Sequence, residues 1–307
     1  MPLVSIIIPV YNSENYLKRS IECCICQTII DIEIIFIDDK GQDDSVKIIQ
    51  KYMQKDNRIK LVDNIINQGI FRAKRVGALN ASGKYLMFLD PDDELELNAC
   101  EILYNEMEKY NVDFLYFNGE VFDNGKREQI LKFIDETKIY TISEFRDFFI
   151  TNKGKWVLWL KIYKRDMYLK ALECIDGVDC KLQTNITEDV LVFYHILSLA
   201  KNVKMLNKCF YKYYLQNTSV TKNLSKVGFE KSMGDYQKIA LVIQKSSQKY
   251  GFNSEFMKKY LARLKKDEYS FIIRYYKQDG YLKNIFKIVY YRLLKISINI
   301  GNFLVIV

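Results

Sequence analysis

Three carboxylates crowd the end of a short apolar run in Tyr85-Leu-Met-Phe-Leu-Asp-Pro-Asp-Asp93. A run of that length reads as a buried strand, and it lifts Asp90, Asp92 and Asp93 to the carboxyl edge of a sheet, where open α/β folds bind ligands. Carboxylates so close together repel one another, and a divalent cation among them relieves the repulsion. Oxygen ligands with no His or Cys beside them suit Mg²⁺ or Mn²⁺ carrying a phosphate, and do not suit zinc. The competing reading of a bare Asp-x-Asp is an acidic loop that caps a helix. Two further acidic pairs stand out. Asp38-Asp39 closes the apolar run 32–37, and Glu188-Asp189 follows Thr187 at the head of an apolar segment reaching Leu199. The latter predicts a helix with Thr187 as its cap and both acids at its positive end.

The elements that must position these acids alternate through the first third of the chain. Strands are predicted at 3–10, 32–37, 59–62 and 85–89. Helices are predicted at 14–27, capped by Asn12 or Ser13, at 44–52 and at 69–79. That order implies an α/β, doubly wound and mostly parallel sheet. Beyond Asp93 a helix is expected at 97–110, a strand at 113–117, a hairpin turn at Asn124-Gly125 and a helix near Ser143. Residues 156–164 mix Trp156, Trp159, Lys161 and Lys164 in an extended stretch. No G-x-G-x-x-G or G-x-x-x-x-G-K loop occurs, which excludes the common phosphate-loop nucleotide folds.

Charge divides the 307 residues unevenly. Residues 222–307 carry 17 Lys/Arg against 6 Asp/Glu, whereas the rest carry 29 against 32. The basic part therefore reads as a helical appendage with an anionic partner, either a membrane surface or nucleic acid. The seven cysteines form no disulfide framework or metal spacing, which predicts reduced thiols in a cytoplasmic protein. No secretory leader is seen, and no run reaches the ~18 apolar residues of a spanning helix. The lone His195 lies within an apolar helix and reads as a core residue.

Four motifs in order, Ile8-Pro-Val-Tyr-Asn12, Ile37-Asp-Asp39, Leu89-Asp-Pro-Asp-Asp93 and Glu188-Asp189, resemble those of family 2 glycosyltransferases, inverting enzymes with the GT-A fold. The resemblance covers residues 3–221. The wording of residues 87–101 more narrowly resembles bacterial β-1,3-galactosyltransferases that extend the outer core of lipooligosaccharide. It implies a nucleotide-sugar-binding and catalytic domain over 1–221 and a basic helical region over 222–307. Pro9, Tyr11 and Asn12 would hold the uridine, with Tyr11 against the base, and Asp39 would accept a hydrogen bond from the uracil ring. Asp90 and Asp92 would be the metal and sugar-nucleotide carboxylates, for Mn²⁺ or Mg²⁺, with Asp93 supporting them or approaching the donor sugar. Where the family carries an Arg-Asn pair this chain reads Lys74-Arg75, which leaves Arg72 for the nucleotide contact. Asp189 matches the catalytic base, with Glu188 as the alternative.

The resemblance thus implies transfer of a hexose, galactose first, from a UDP-sugar to a glycolipid or oligosaccharide acceptor. Lys161 and Lys164, with Trp156 and Trp159, would either bind diphosphate or acceptor sugar or pack in the core, and Tyr214, Asn217 and Ser219 lie where related chains have a loop near the diphosphate. Lys283, Lys287, Arg292 and Lys295 alternate with Phe286, Ile288, Tyr290, Tyr291 and Leu294, and no acid follows Asp279. This pattern predicts a basic amphipathic helix on the cytoplasmic membrane surface. Two rival classes remain: a metal-dependent phosphatase or nucleotidyltransferase, and a non-enzymatic basic protein that binds nucleic acid.

Overall fold

The computed structural model describes residues 1–299 apart from 124, 133–134, 153, 185, 216–224, 279 and 281–283. It divides into two compact units, Met1–Gln216 and Asn217–Val307.

The first unit opens with β1 (Val4–Val10), α1 (Leu17–Ile25), β2 (Ile32–Asp38), α2 (Ser45–Met53), β3 (Ile59–Asp63), α3 (Ile70–Asn80) and β4 (Tyr85–Phe88). β1, β2 and β4 are buried at every position, as strands covered on both faces must be. The run β3-β2-β1-β4 is parallel throughout. All of its strands therefore point their carboxyl ends, with Asn12, Asp39 and Asp90 just beyond them, to one edge.

Beyond β4 the sheet becomes mixed. β5 (Glu94–Leu95), α4 (Ala99–Tyr110), β6 (Phe114–Asp123), β7 (Lys126–Gln129), β8 (Ile139–Thr141) and α5 (Ile142–Thr151) come first. Then follow β9 (Lys161–Lys164), α6 (Arg165–Asp179), α7 (Glu188–Leu199) and β10 (Asn202–Tyr214). β9 lies antiparallel between β4 and β6, and β10 runs parallel to β6 and antiparallel to the short β5. β6 and β7 form the expected hairpin around Gly125 at φ 83, while Asn124 lies outside the described residues. α6 and β10 have no counterpart in the sequence reading.

Two caps differ from expectation. Asn12 stands at φ 49 and its Oδ1 accepts from Gln42 N at 2.7 Å, tying two sheet-edge loops together instead of capping α1. Thr187 stands at φ 63 and its hydroxyl donates to Ile186 O, so its side chain does not cap α7. A β-branched residue rarely adopts that backbone region, and here it immediately precedes Glu188 and Asp189.

The second unit contains α8 (Lys226–Tyr250), α9 (Ser254–Gln278) and α10 (Ile285–Asn299). α8 and α9 bury Tyr236, Ile239, Ile243, Tyr260, Leu264 and Phe271, and Phe229 stacks on Tyr275 at 3.9 Å. On α10, Ile288 is buried and Tyr291 packs on Tyr269, whereas Phe286, Val289, Tyr290 and Leu293 are exposed. Their i, i+3, i+4, i+7 spacing makes one apolar stripe, flanked by exposed Lys287 and Arg292. Lys283 and Asp279 lie outside the described residues. Among the described residues no helix is long and apolar enough to cross a membrane.

Candidate active site

The loop after β4 is fixed chiefly through Asp93. Its Oδ2 accepts from the Tyr211 hydroxyl at 2.7 Å and its Oδ1 from Tyr214 N at 2.9 Å, and it is fully buried. With both oxygens bonded to β10, Asp93 supports the loop. Arg19 of α1 completes the support: it donates to the Asp92 carbonyl, pairs with Glu94 at 3.4 Å and lies 3.7 Å over the Tyr214 ring. Asp90 and Asp92 are left for chemistry. Burial raises both carboxyls, and for Asp90 the neighbouring Asp92 and Asp189 add to the effect against Lys74, giving about 6.

Lys74 is the centre of the second cluster. α3 buries Phe71, Lys74 and Ala78, an i, i+3, i+7 stripe. At Gly77 an added Cβ would meet Ile7 Cγ2 at 2.4 Å, so only glycine lets α3 pack so close to β1. Lys74 is thereby carried inside the molecule, where its Nζ donates to Glu188 Oε1 at 2.9 Å and Asp189 Oδ1 at 3.0 Å. Asp189 Oδ2 also accepts from Leu158 N at 3.3 Å. Burial alone would lower the Lys74 ammonium, but Asp189, Glu188 and Asp90 outweigh it and hold it well above the usual lysine range. Glu188 is pushed up to about 7 by burial and by Asp189, against the pull of Lys74. Asp90 and the acid pair on α7 therefore share one electrostatic neighbourhood with Lys74.

The strand-end residues of β1 and β2 lie along the same edge. Asp39 Oδ1 accepts from Asn64 Nδ2 and Gln68 N, and its Oδ2 from Gly69 N, all at 2.9 Å. The carboxylate thus orders the loop leading into α3 and keeps about one of its four lone-pair positions. Asp38 braces its own turn, accepting from Lys40 N. Pro9 is the penultimate residue of β1, and Tyr11 beside it is half exposed. Gly41 lies so close to Asn12 that a Cβ there would come within 2.7 Å of Asn12 N, which keeps this rim tight.

Several expected residues are spent elsewhere. Arg72 donates to the carbonyls of Leu182 and Cys180, just past the end of α6, where orphan carbonyls attract a cation. Arg75 forks onto Asp176 of α6. Lys161 is fully buried, donates to the carbonyls of Lys155 and Val157, and lies 4.2 Å over Phe193. Lys164 pairs with Asn111 and Asp113, and Trp156 packs on Phe149. Trp159 does approach the acids, stacked 4.2 Å from Tyr211 and 5.5 Å from Tyr213. His195 is buried with Nδ1 2.9 Å from Leu191 O, and burial lowers it to about 4. Asn217 and Ser219 lie outside the described residues.

Among the described residues no three His, Cys, Asp or Glu side chains converge to hold a metal on their own. Mg²⁺ and Mn²⁺ bound with a nucleotide need only one or two carboxylates, the remaining ligands being phosphate oxygens and water. Asp90 and Asp92 match that donor set.

With this geometry in place, the sequence can be set beside known proteins. Residues 5–173 match the signature described as Glycosyl transferase family 2. The chain belongs to that family. Membership makes it a glycosyltransferase, the class that the four motifs resemble. It is 29% identical over 238 residues to glycosyltransferase GlyA of Streptococcus pneumoniae, covering 75% of this chain but 32% of GlyA. It is 29% identical over 237 residues to the cholesterol galactosyltransferase of Borreliella burgdorferi, covering 72% of this chain and 63% of that one. Its fold matches S. aureus TarS 1-349 in complex with UDP-GlcNAc at a TM-score of 0.64 and 18% identity, over 97% of this chain and 81% of TarS 1-349. The mixed sheet and helical C-terminal region are thus a GT-A-like architecture.

Two features of the site escaped the sequence reading. Lys74 stood out only as a departure from the family pair, although a lysine in the buried stripe of α3 signals an acid waiting inside the fold. Tyr211 and Tyr213 were missed with β10, because the alternation that marks a strand is broken by register shifts between Leu206 and Cys209 and between Cys209 and Tyr211.

Proposed function

We propose that the protein moves a hexose, galactose first, from a UDP-sugar to a lipooligosaccharide or another glycan, with inversion at the transferred carbon. The observation that carries this reading is the shared cluster of Asp90, Lys74 and Asp189. Inversion requires a base on the face of the sugar opposite the departing diphosphate, and Asp189 is a part-exposed carboxylate in that neighbourhood. Glu188, more deeply buried, is the alternative base. Tyr11, Asn12 and Asp39 take the uridine at the edge of β1 and β2, with Pro9 shaping the turn. Asp92 and Asp90 would hold Mn²⁺ or Mg²⁺, which neutralises charge growing on the diphosphate. The ring stack ending at half-buried Tyr213 offers the acceptor an aromatic face.

The stripe on α10 supports a place for the enzyme at the inner face of the cytoplasmic membrane, where a glycolipid acceptor would be presented. Apolar side chains between cations suit an anionic lipid surface. The test is a donor screen: purified protein, Mn²⁺, each UDP-sugar in turn and a lipooligosaccharide acceptor, with UDP release followed. One UDP-hexose should be turned over, and chelation should abolish turnover. Silence with every UDP-sugar overturns the donor class, and turnover that survives chelation removes the metal.

A further inference from the structure

A buried lysine tied to the candidate base calls for a role of its own. We infer that Lys74 is the positioning residue of the reaction, holding Asp189 as a carboxylate and fixing its direction. The inference rests on the reading of Asp189 as the base. Lys74 takes one Asp189 oxygen and Leu158 N the other, so the carboxyl plane is set by two donors on opposite oxygens. A carboxylate held this way cannot rotate out of line with an incoming hydroxyl without breaking a contact in a buried setting. Lys74 reaches the site from α3, Glu188 and Asp189 from α7, and Leu158 from the segment before β9. The position is thus defined by three elements packed together and not by one loop.

Charged and titratable groups face Asp189 from four elements. Lys74 faces it from α3, Glu188 from its own helix, Asp90 from the loop after β4, and Tyr168 from α6. Tyr168 is raised by burial, stays neutral and contributes no charge. Two acids and one cation therefore surround Asp189, and Lys74 is the cation in contact with it. Without that cation, Asp189 would keep only the Leu158 N contact, and the base would lose its fixed direction. The acceptor proton passes to Asp189 as the new glycosidic bond forms and the bond to the diphosphate breaks. Lys74 transfers no proton in that step.

The test compares Lys74→Met, Lys74→Arg, Glu188→Gln and the double variant Lys74→Met/Glu188→Gln, which keeps charge balance if the single variant folds poorly. Each is measured for UDP binding by calorimetry and for kcat/KM against pH. In Lys74→Met, UDP affinity should stay within about threefold of wild type. Its kcat should fall at least about tenfold and its acidic limb should move up by about one pH unit or more. Glu188→Gln should move that limb down, Lys74→Arg should hold it near wild type, and the double variant should fall between. A folded Lys74→Met with the wild-type limb overturns the inference, and so does a double variant whose limb lies as far down as that of Glu188→Gln. So does a variant that loses UDP binding with an unchanged profile, since Lys74 would then be a nucleotide ligand. Wild-type protein that binds no UDP would instead sink the proposed function.

Discussion

The two acidic regions at the rim of this sheet handle negative charge by opposite means. Asp39 is surrounded by neutral donors, the N–H groups of Gln68 and Gly69 and the Asn64 amide, each at 2.9 Å. Asp189, Glu188 and Asp90 are gathered around one cation, Lys74, which touches the first two and acts on the third at a distance. Neutral dipoles hold a carboxylate in place whatever happens nearby, so Asp39 builds a loop. A shared cation makes the charge on each acid depend on its neighbours, so a proton arriving at one is felt by all. The first arrangement suits recognition and the second suits proton transfer.

The largest effect that would test this contrast lies in the second region. Replacing Asp189 with Asn keeps the shape and removes the proposed base, and turnover should fall by about 10²–10⁴ while UDP binding stays within about twofold. Asp39→Ala should do the reverse. Three donors lose their acceptor in a buried site, at about 1–3 kcal/mol for each that water cannot reach. Unfolding free energy should drop by about 2–3 kcal/mol and UDP affinity by about tenfold or more, with the pH profile of residual turnover unchanged. Chemical denaturation and calorimetry on the two variants decide the matter. An Asp39→Ala protein as stable and as tight as wild type, or an Asp189→Asn protein that no longer binds UDP, would erase the distinction.

What the sequence disclosed follows the same division. The parallel half of the sheet was legible because β1, β2 and β4 are predominantly apolar runs, broken only by Ser5 and Glu33 before the polar residues at their ends, and short-range pattern suffices for such strands. Asp39 and Asp90 were found as strand-end acids for that reason. The other half depends on distant partners. β10 follows the alternating rule only in pieces, and α6 begins at Lys164 without a capping side chain, so neither announces its start. Lys161 and Lys164, equally cationic in sequence, turn out to be fasteners for loops. Lys74 was the most visible anomaly and the least interpreted, because its counter-charges lie 114 and 115 residues further along the chain.

The smallest expected effect separates Glu188 from its background. Its carboxyl is pushed up to about 7 from an ordinary 4.5, so the folded protein holds a proton that the unfolded chain has released. Its contribution to stability therefore grows as pH falls from 8 toward 5. His195 works against this: burial lowers it to about 4, the unfolded chain takes up its proton first below about 6.5, and stability is lost as pH falls through that range. Glu33 is held at about 2 by Lys60, Ser5 and Ser82 against the opposing effect of burial, and stays ionised in both states across most of this window. The raw curve thus mixes two opposite slopes, and the informative quantity is the difference between wild type and Glu188→Gln. That difference should rise by about 1–2 kcal/mol between pH 8 and pH 5.5 in favour of wild type. Parallel curves would mean that Glu188 keeps an ordinary affinity for protons despite its burial, and that Lys74 compensates both acids of α7 in full.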